Sequence, residues 1–348
     1  MQLCEGLENA TGALFTKLDL TDAAWKLGGA SNVTEAKSFY LQLDDGSTLI
    51  YQIAFTNVAW PTDWFQVNAH YLPASLHSVD DKGRIEHCDN VSKFWAKITK
   101  DKLGVDASTG SIHIKCEQDI RLKLKCGKIR FEINLADSVG LVTLGDGCIN
   151  VPKEGQVRIF FLPNLKGEGT LKIKDKAEQK IRVKGIGIIQ WQGIKVHRYA
   201  SKWTLGWFQS PEIQIISMQL QGTKRLEHQK LRLNLVVQDG KINVASIEGN
   251  LESKEITATH KAEMMIKGKD VDGKDVVLEV REDALKQLTR IKVLDNVPFL
   301  VRKVLQAFMS SPVISHFEST SATLLRDGGQ IANGSVLLEE SIILKGDQ

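Results

Sequence analysis

Apolar and polar residues alternate with a period of two along most of this chain. Phe39, Leu41 and Leu43 share one face, Asp44-Asp45-Gly46 turns, and Leu49, Tyr51, Ile53 and Phe55 resume the alternation. Successive side chains on a strand point to opposite faces, so this spacing predicts a hairpin with one apolar face. The stretch 119–135 repeats it: Ile120, Leu122 and Leu124 alternate with Arg121, Lys123 and Lys125, and Cys126-Gly127 makes the turn. Ile129, Phe131, Ile133 and Leu135 then alternate with Arg130, Glu132 and Asn134. Strands are also predicted over 157–161, 170–174 and 180–189. In the second half the pairs are 231–237 with 242–246, 261–267 with 275–281, and 320–326 with 334–344, several joined by Asp-Gly turns. Many short strands with such turns predict antiparallel barrels or sandwiches.

Two stretches have helical spacing instead. Val297, Leu300, Val301, Val304, Leu305 and Phe308 recur every three or four residues, with Pro298 in the first turn and Pro312 beyond the end. Leu3, Leu7, Ala10, Leu14 and Leu18 do the same, weakened by Gly6 and Gly12. With Glu5 and Glu8 on it, this N-terminal stretch reads as a helix packed on its own barrel rather than as an anchor on an anionic surface.

The length of 348 residues exceeds one ordinary barrel and suits two domains. The charged turn Lys174-Asp175-Lys176 suggests a boundary, giving domains 1–174 and 175–348. With no long Pro- or Ser-rich linker, the two are expected to pack together. The formal net charge of +3 is too small to argue for nucleic acid. No stretch approaches the ~18–20 uninterrupted apolar residues of a transmembrane helix, and the acidic start does not read as a secretory signal. A cytoplasmic protein is expected, its five cysteines free thiols with several buried.

The chemistry-bearing motifs are sparse. The eight histidines show no H-x-x-x-H or H-x-H spacing, and no G-x-S-x-G elbow exists. Gly145-Asp146-Gly147 and Gly185-Ile186-Gly187 lack the following helix that a phosphate cradle needs. No metal, cofactor or catalytic group is therefore expected. Trp60, Trp64 and Phe65 around Pro61 read as a satellite core under a loop. The dense aromatic stretch is 189–211, which holds Trp191, Trp203 and Trp207 of the chain's seven tryptophans, with Tyr199, Phe208, His197, Arg198 and Lys202 among them. It reads as an aromatic core joining two domains, and also as a pocket wall, since domain junctions favour ligand sites.

This stretch resembles the fungal survival factor family, proteins of two tandem lipocalin-like domains. The matching residues are Gln192-Gly193, His197, Ala200, Lys202-Trp203 and Phe208-Gln209-Ser210. Others agree in order: Lys37-Ser38-Phe39-Tyr40 with Phe55-Thr56-Asn57-Val58; Gly145-Asp146-Gly147 with Phe160-Phe161-Leu162-Pro163 and Lys166-Gly167-Glu168-Gly169-Thr170; and Val293 to Leu300 with Lys303 and Val304. Arg198, Val196 and Phe161 depart from the family's histidine, proline and tryptophan, and its longer N-terminal extension is short or missing here. The resemblance implies an all-β fold of two tandem lipocalin-like antiparallel barrels with few short helices. It also implies a cytosolic protein that handles sphingolipid, carries ceramide between endoplasmic reticulum and Golgi, and supports survival under oxidative stress. Peripheral contact with those membranes would go with that role.

Three functions suit such a chain. A lipid carrier would hold a ceramide-like ligand in an apolar cavity, with Trp191, His197, Trp203, Phe208 and Gln209 as the expected binding residues. A stress-response scaffold would have barrels filled by side chains. An enzyme, like the lipocalin-like hydratases and cyclases built on similar scaffolds, would bring perturbed polar groups together in its pocket, with His197, Lys202 or Tyr199 polarising the substrate. The carrier is the reading adopted, with no enzymatic activity expected.

Overall fold

A computed structural model of the chain describes residues 15–27, 33–57, 63–75, 83–145, 147–151, 155–193, 199–249, 262–270, 272–292 and 312–343. The expected helices at 3–18 and 297–308 lie outside these residues, except for the end of the first. The described elements are antiparallel strands in two sheets, with two short 3₁₀ helices at Leu20–Ala23 and Lys224–Leu226.

The first sheet has fourteen strands. They are β1 (Phe15–Lys17), β2 (Val33–Leu43), β3 (Thr48–Asn57), β4 (Asp63–Leu72), β5 (Ile85–Ser92), β6 (Lys97–Ile98), β7 (Gly104–Asp106), β8 (Gly110–Cys116), β9 (Asp119–Lys125), β10 (Ile129–Asp137), β11 (Val142–Leu144), β12 (Cys148–Val151), β13 (Gly155–Ile173) and β14 (Gln179–Gln192). Its main path runs β5-β4-β3-β2-β14-β13-β10-β9-β8-β7-β6. The sheet curls until its two ends meet through side chains: Ser108 and Thr109 donate to Asp89 Oδ2 at 2.8 and 3.0 Å. The alternation now has a cause. Phe39, Leu41, Tyr51, Ile53, Phe55, Phe65, Leu122 and Ile133 all point inward and are fully buried, so side chains fill this barrel.

The second sheet has nine strands. They are β15 (Ala200–Gln209), β16 (Ile213–Gly222), β17 (Lys230–Gln238), β18 (Lys241–Gly249), β19 (Ala262–Lys269), β20 (Asp275–Glu282), β21 (Lys286–Lys292), β22 (Val313–Arg326) and β23 (Gly329–Ile342). The path is β18-β17-β16-β15-β23-β22-β20-β19, and its ends approach at a bridge between Val244 and Asp270. The Asp-Gly turns behave as their chemistry requires. Asp239 and Gly240 have φ of 49° and 74°, and Asp327 and Gly328 have 49° and 84°. Two consecutive left-handed residues make the turn whose twist matches a hairpin.

Three expectations from the sequence change. The stretches 157–161 and 170–174 are one strand, β13, because a register shift between Leu162 and Leu165 lets it pass Pro163 without ending. Asp137 anchors this bulge: its carboxylate accepts the amides of Val139, Gly140 and Asn164 at 2.7, 2.9 and 2.8 Å. The turn at 174–176 joins β13 to β14, and β14 pairs with β2. That turn therefore lies inside the first sheet, and the change of sheet falls between Gln192 and Ala200. A charged turn marks a hairpin as readily as a boundary. The four described cysteines form no disulfide; Cys116 is exposed and the others are half-buried rather than buried.

The sheets stack outer face to outer face. Tyr40, Ile50, Phe161, Ile186 and Ile188 of the first share one buried cluster with Trp207, Ile216, Met218, Leu233 and Leu235 of the second. The face of the 39–55 hairpin opposite Phe39 and Leu41 is therefore not a solvent face.

Candidate ligand cleft between the sheets

The stacked faces do not close completely. A cavity of about 310 Å³ lies between β2, β3, β4 and β5 on one side and β21, β22 and β23 on the other, bordered by Ile50, Asn68, His70, Cys88, Ile291 and His316. A second, of about 190 Å³, is bordered by Ile188, Gln192, Trp203, Leu205, Met218 and Ile343. Tyr40, Gln52, Ile314 and Glu339 border both, so the two are parts of one cleft. Its combined space is that of an ordinary ligand pocket, ~300–1,000 Å³.

A polar chain crosses the cleft at Glu339. Tyr40 Oη donates to Glu339 Oε2 at 2.9 Å, and His316 Nε2 donates to the same oxygen at 3.0 Å. The other ring nitrogen, Nδ1, lies 2.6 Å from Thr289 Oγ1. Burial alone would push the Glu339 carboxyl up, but the hydrogen bonds from His316, Tyr40 and Ser341 outweigh it and hold it below the usual range. Burial, then the Glu339 charge, raises the Tyr40 phenol. The constellation resembles a hydroxyl-imidazole-carboxylate relay; Thr289 is fully buried and borders neither of these two cavities.

Two further groups are strongly perturbed. His70, its ring centroid 5.9 Å from that of His316, is pushed down to about 3 by burial and by the neighbouring His316 and Arg84. It is therefore neutral, and its Nδ1 has no hydrogen-bond partner among the described residues. Glu318, beside the cleft, is pushed up to about 7 by burial, against the hydrogen bond it accepts from Thr48 Oγ1 at 2.8 Å. Among the described residues no three or more His, Cys, Asp or Glu side chains gather as a metal site.

The residues expected from the sequence are dispersed. Trp203, on β15, borders the cleft and is 9% exposed. Trp191, near the end of β14, carries Lys26 Nζ 4.9 Å above its ring, away from the cleft. Phe208 points into the second barrel and is fully buried. Gln209 borders a different cavity of about 360 Å³, with Ser138, Asn164 and Gln214, at the opposite end of the seam. His197 lies outside the described residues. Lys202 is paired with Glu340 at 2.8 Å and Tyr199 is buried in the seam, so neither is placed to polarise a substrate in the cleft. Trp64 and Phe65 lie on β4 rather than in a loop, and Phe65 packs on Trp25 and Phe55 in the first barrel's own core rather than a satellite one; Trp60 and Pro61 lie outside the described residues.

Sequence reasoning missed Tyr40, His70, His316 and Glu339. A signal was present for three of them: His70, His316 and Glu339 have an apolar residue two positions away, Leu72, Ile314 and Leu337, whereas Tyr40 lies between Ser38 and Gln42. What it lacked was the second sheet that covers that flank.

Comparison with known proteins gives a consistent picture. The model of the Svf1 family matches residues 4–343. A protein of Aspergillus fumigatus named ceramide-binding protein svf1 is 24% identical over 307 residues, covering 83% of this chain and 75% of that one. The Candida albicans ceramide-binding protein SVF1 is 23% identical over 320 residues, covering 84% and 78%. Among solved structures, CghA with Sch210972 superposes with a TM-score of 0.64 at 10% identity, covering 96% of this chain and 99% of that one. Kievitone hydratase from Nectria haematococca does so at 0.55 and 13% identity, covering 97% and 95%. At such identities the structures show a shared fold only.

Proposed function

Because the chain belongs to the Svf1 family, we propose that it binds ceramide, with the lipid held between the two sheets rather than inside a barrel. The names of its relatives support the ligand. The observation that carries the site is the cleft itself: the first barrel is filled by its own side chains, while the seam keeps an open space whose lining mixes polar residues such as Gln52, Asn68, Gln190 and His316 with apolar ones such as Ile188, Trp203 and Met218. Ceramide offers an amide, two hydroxyls and two hydrocarbon chains. Glu339 and the unpaired His70 Nδ1 are acceptors for its donors, and Ile188, Trp203, Leu205, Met218 and Ile314 line a path for a chain. Each methylene removed from water there contributes ~0.8 kcal/mol. Two full chains exceed the cleft, so loading requires the sheets to part along the seam. Transfer of ceramide between endoplasmic reticulum and Golgi, a cytoplasmic location and a part in survival of oxidative stress extend this reading, on the family resemblance.

An enzymatic reading has one observation in its favour: His70 and Glu339, both perturbed, converge on the cleft. Native mass spectrometry with lipid extraction separates the two. Protein purified from its own type of cell should carry a two-chain sphingolipid, lost on Trp203→Ala with the fold retained by circular dichroism. Ceramide recovered unchanged after incubation supports binding. A protein that takes up no lipid sinks the reading, and a lipid returned heavier by one water moves it to a hydratase.

A further inference from the structure

Phe94 and Trp95 are 84% and 74% exposed, the most exposed large apolar side chains among the described residues. They form the tip of the link between β5 and β6. The rings stand edge to face with centroids 5.2 Å apart. The backbone beneath them is fixed: Lys93 N donates to Asp63 O at 3.0 Å, Trp95 N to Ser92 O at 2.9 Å and Ala96 N to Lys93 O at 3.3 Å. Lys93 Nζ adds a bond to Leu27 O at 2.8 Å. The tip is thus a firm mount that holds two aromatic rings in water, against the usual gain from burying them.

Basic residues outnumber acidic ones around it. Lys97, Lys100 and Lys102 are exposed, and no ion pair is recorded for them among the described residues. Two acids lie nearby: Asp63 pairs with Lys93 at 3.4 Å, and the exposed Asp101 accepts from Thr99 Oγ1 and from Leu103 N at 2.9 Å and keeps its charge, leaving the lysines in excess. An aromatic wedge inside a basic collar fits the interfacial layer of a bilayer with anionic headgroups, where Trp rings settle and lysines meet phosphates. The tip also lies at a useful end of the barrel. Leu27 N donates to Glu35, Glu35 pairs with Trp191, and the next pair along is Thr34 with Gln192, which borders the cleft.

We propose that the Phe94–Trp95 tip with Lys97, Lys100 and Lys102 is a docking surface for an anionic membrane, set at the end of the first barrel where the cleft's Gln192 lies. The proposal rests on the ceramide reading for its purpose, and its test is independent of it.

Flotation with phosphatidylcholine vesicles, with or without phosphatidylserine, reads the docking. Wild-type protein should float with the acidic vesicles, less so as salt rises. Phe94→Ser with Trp95→Ser should weaken this roughly tenfold or more, with an unchanged melting curve because neither ring is in a core. Lys97→Glu with Lys100→Glu should weaken it comparably. Brominated lipid should quench wild-type fluorescence more than that of Trp95→Phe. Serine variants that float like wild type overturn the proposal, as does loss confined to the lysine variant, which would mean attraction without insertion. Ceramide offered in cyclodextrin isolates the other reading: uptake without flotation sinks the docking surface alone, and flotation without uptake supports it while sinking the ceramide site.

Discussion

Tyr40 and Glu339 are 299 residues apart in the chain and 2.9 Å apart in space, joined by a hydrogen bond across the seam. Gln42 Nε2 to Ser335 Oγ at 2.9 Å and Thr48 Oγ1 to Glu318 Oε1 at 2.8 Å tie the same faces. A hydrogen bond to a buried charge contributes about 1.5–3 kcal/mol. Tyr40→Phe should destabilise by that amount, and Glu339→Ala by more, because it removes the acceptor of both the Tyr40 and the His316 donor. A double-mutant cycle in denaturant should give a coupling above 1 kcal/mol in order of magnitude. Additive effects would mean the seam does not hold this pair together.

Glu318 sets a pH dependence. Its folded pKa of about 7 lies above the ordinary 4.5, so folding takes up a proton between those values. The stability from this group is complete below the lower value and is lost as pH rises through the upper one. His70 acts with the opposite sign: its folded value of about 3 lies below the ordinary 6.5, so its contribution is lost as pH falls through that window. The two nearly cancel in the wild type where the windows overlap. Glu318→Gln should expose the His70 slope at acid pH and raise stability above neutrality by roughly 1–3 kcal/mol. Urea melts across the range check both arms.

Lys37 is buried inside the first barrel, its Nζ 3.3 Å from Leu103 O and 4.8 Å above the Trp25 ring. Burial pushes it down from 10.5 to about 7. The unfolded chain binds the proton over that interval and the folded chain does not, so stability rises with pH across it, by at most about 1.4 kcal/mol per unit. Lys37→Met should flatten this rise while keeping the fold. Thermal melts from neutral pH upward that stay parallel for the two proteins would refute it.

Gly110 sits where a methyl group would overlap the Tyr51 hydroxyl, which donates to Lys123 O at 2.9 Å and reaches Ser111 O at 3.3 Å. Gly110→Ala should cost about 1–3 kcal/mol as overpacking. Adding Tyr51→Phe should recover part of it, because the hydroxyl is the nearest atom the methyl meets, ahead of Val67 Cγ1 and Lys123 O. Equal melting temperatures for the single and double variants would place the clash elsewhere.

The barrels were legible because alternation is written in single residues: Ile120, Leu122 and Leu124 against Arg121, Lys123 and Lys125 need no tertiary knowledge. The bulge at Pro163 was not, since a proline that ends a strand and one that bends it look alike in sequence. Nor was the cleft. Aromatic density pointed to 189–211, where Trp203 does border it, but Phe208 is an inward barrel residue and Gln209 faces another cavity. Tyr40, His70, His316 and Glu339 are drawn from four strands of two sheets, and only the stacking of those sheets gives them a common address.

That stacking also has a cost in time. While the second sheet, Ala200 to Ile342, is still being synthesised, the outer wall of the first, with Phe161, Ile186 and Ile188, has nothing to cover it. At ordinary translation rates the interval is roughly 10–30 s, long compared with the folding of a small barrel. The nascent first half thus leaves the ribosome folded inside and sticky outside. Cut at the crossing between the sheets, each half would expose the apolar wall that the other now covers, and a chaperone that shields such a wall for those seconds would be as much a part of making this molecule as its sequence is.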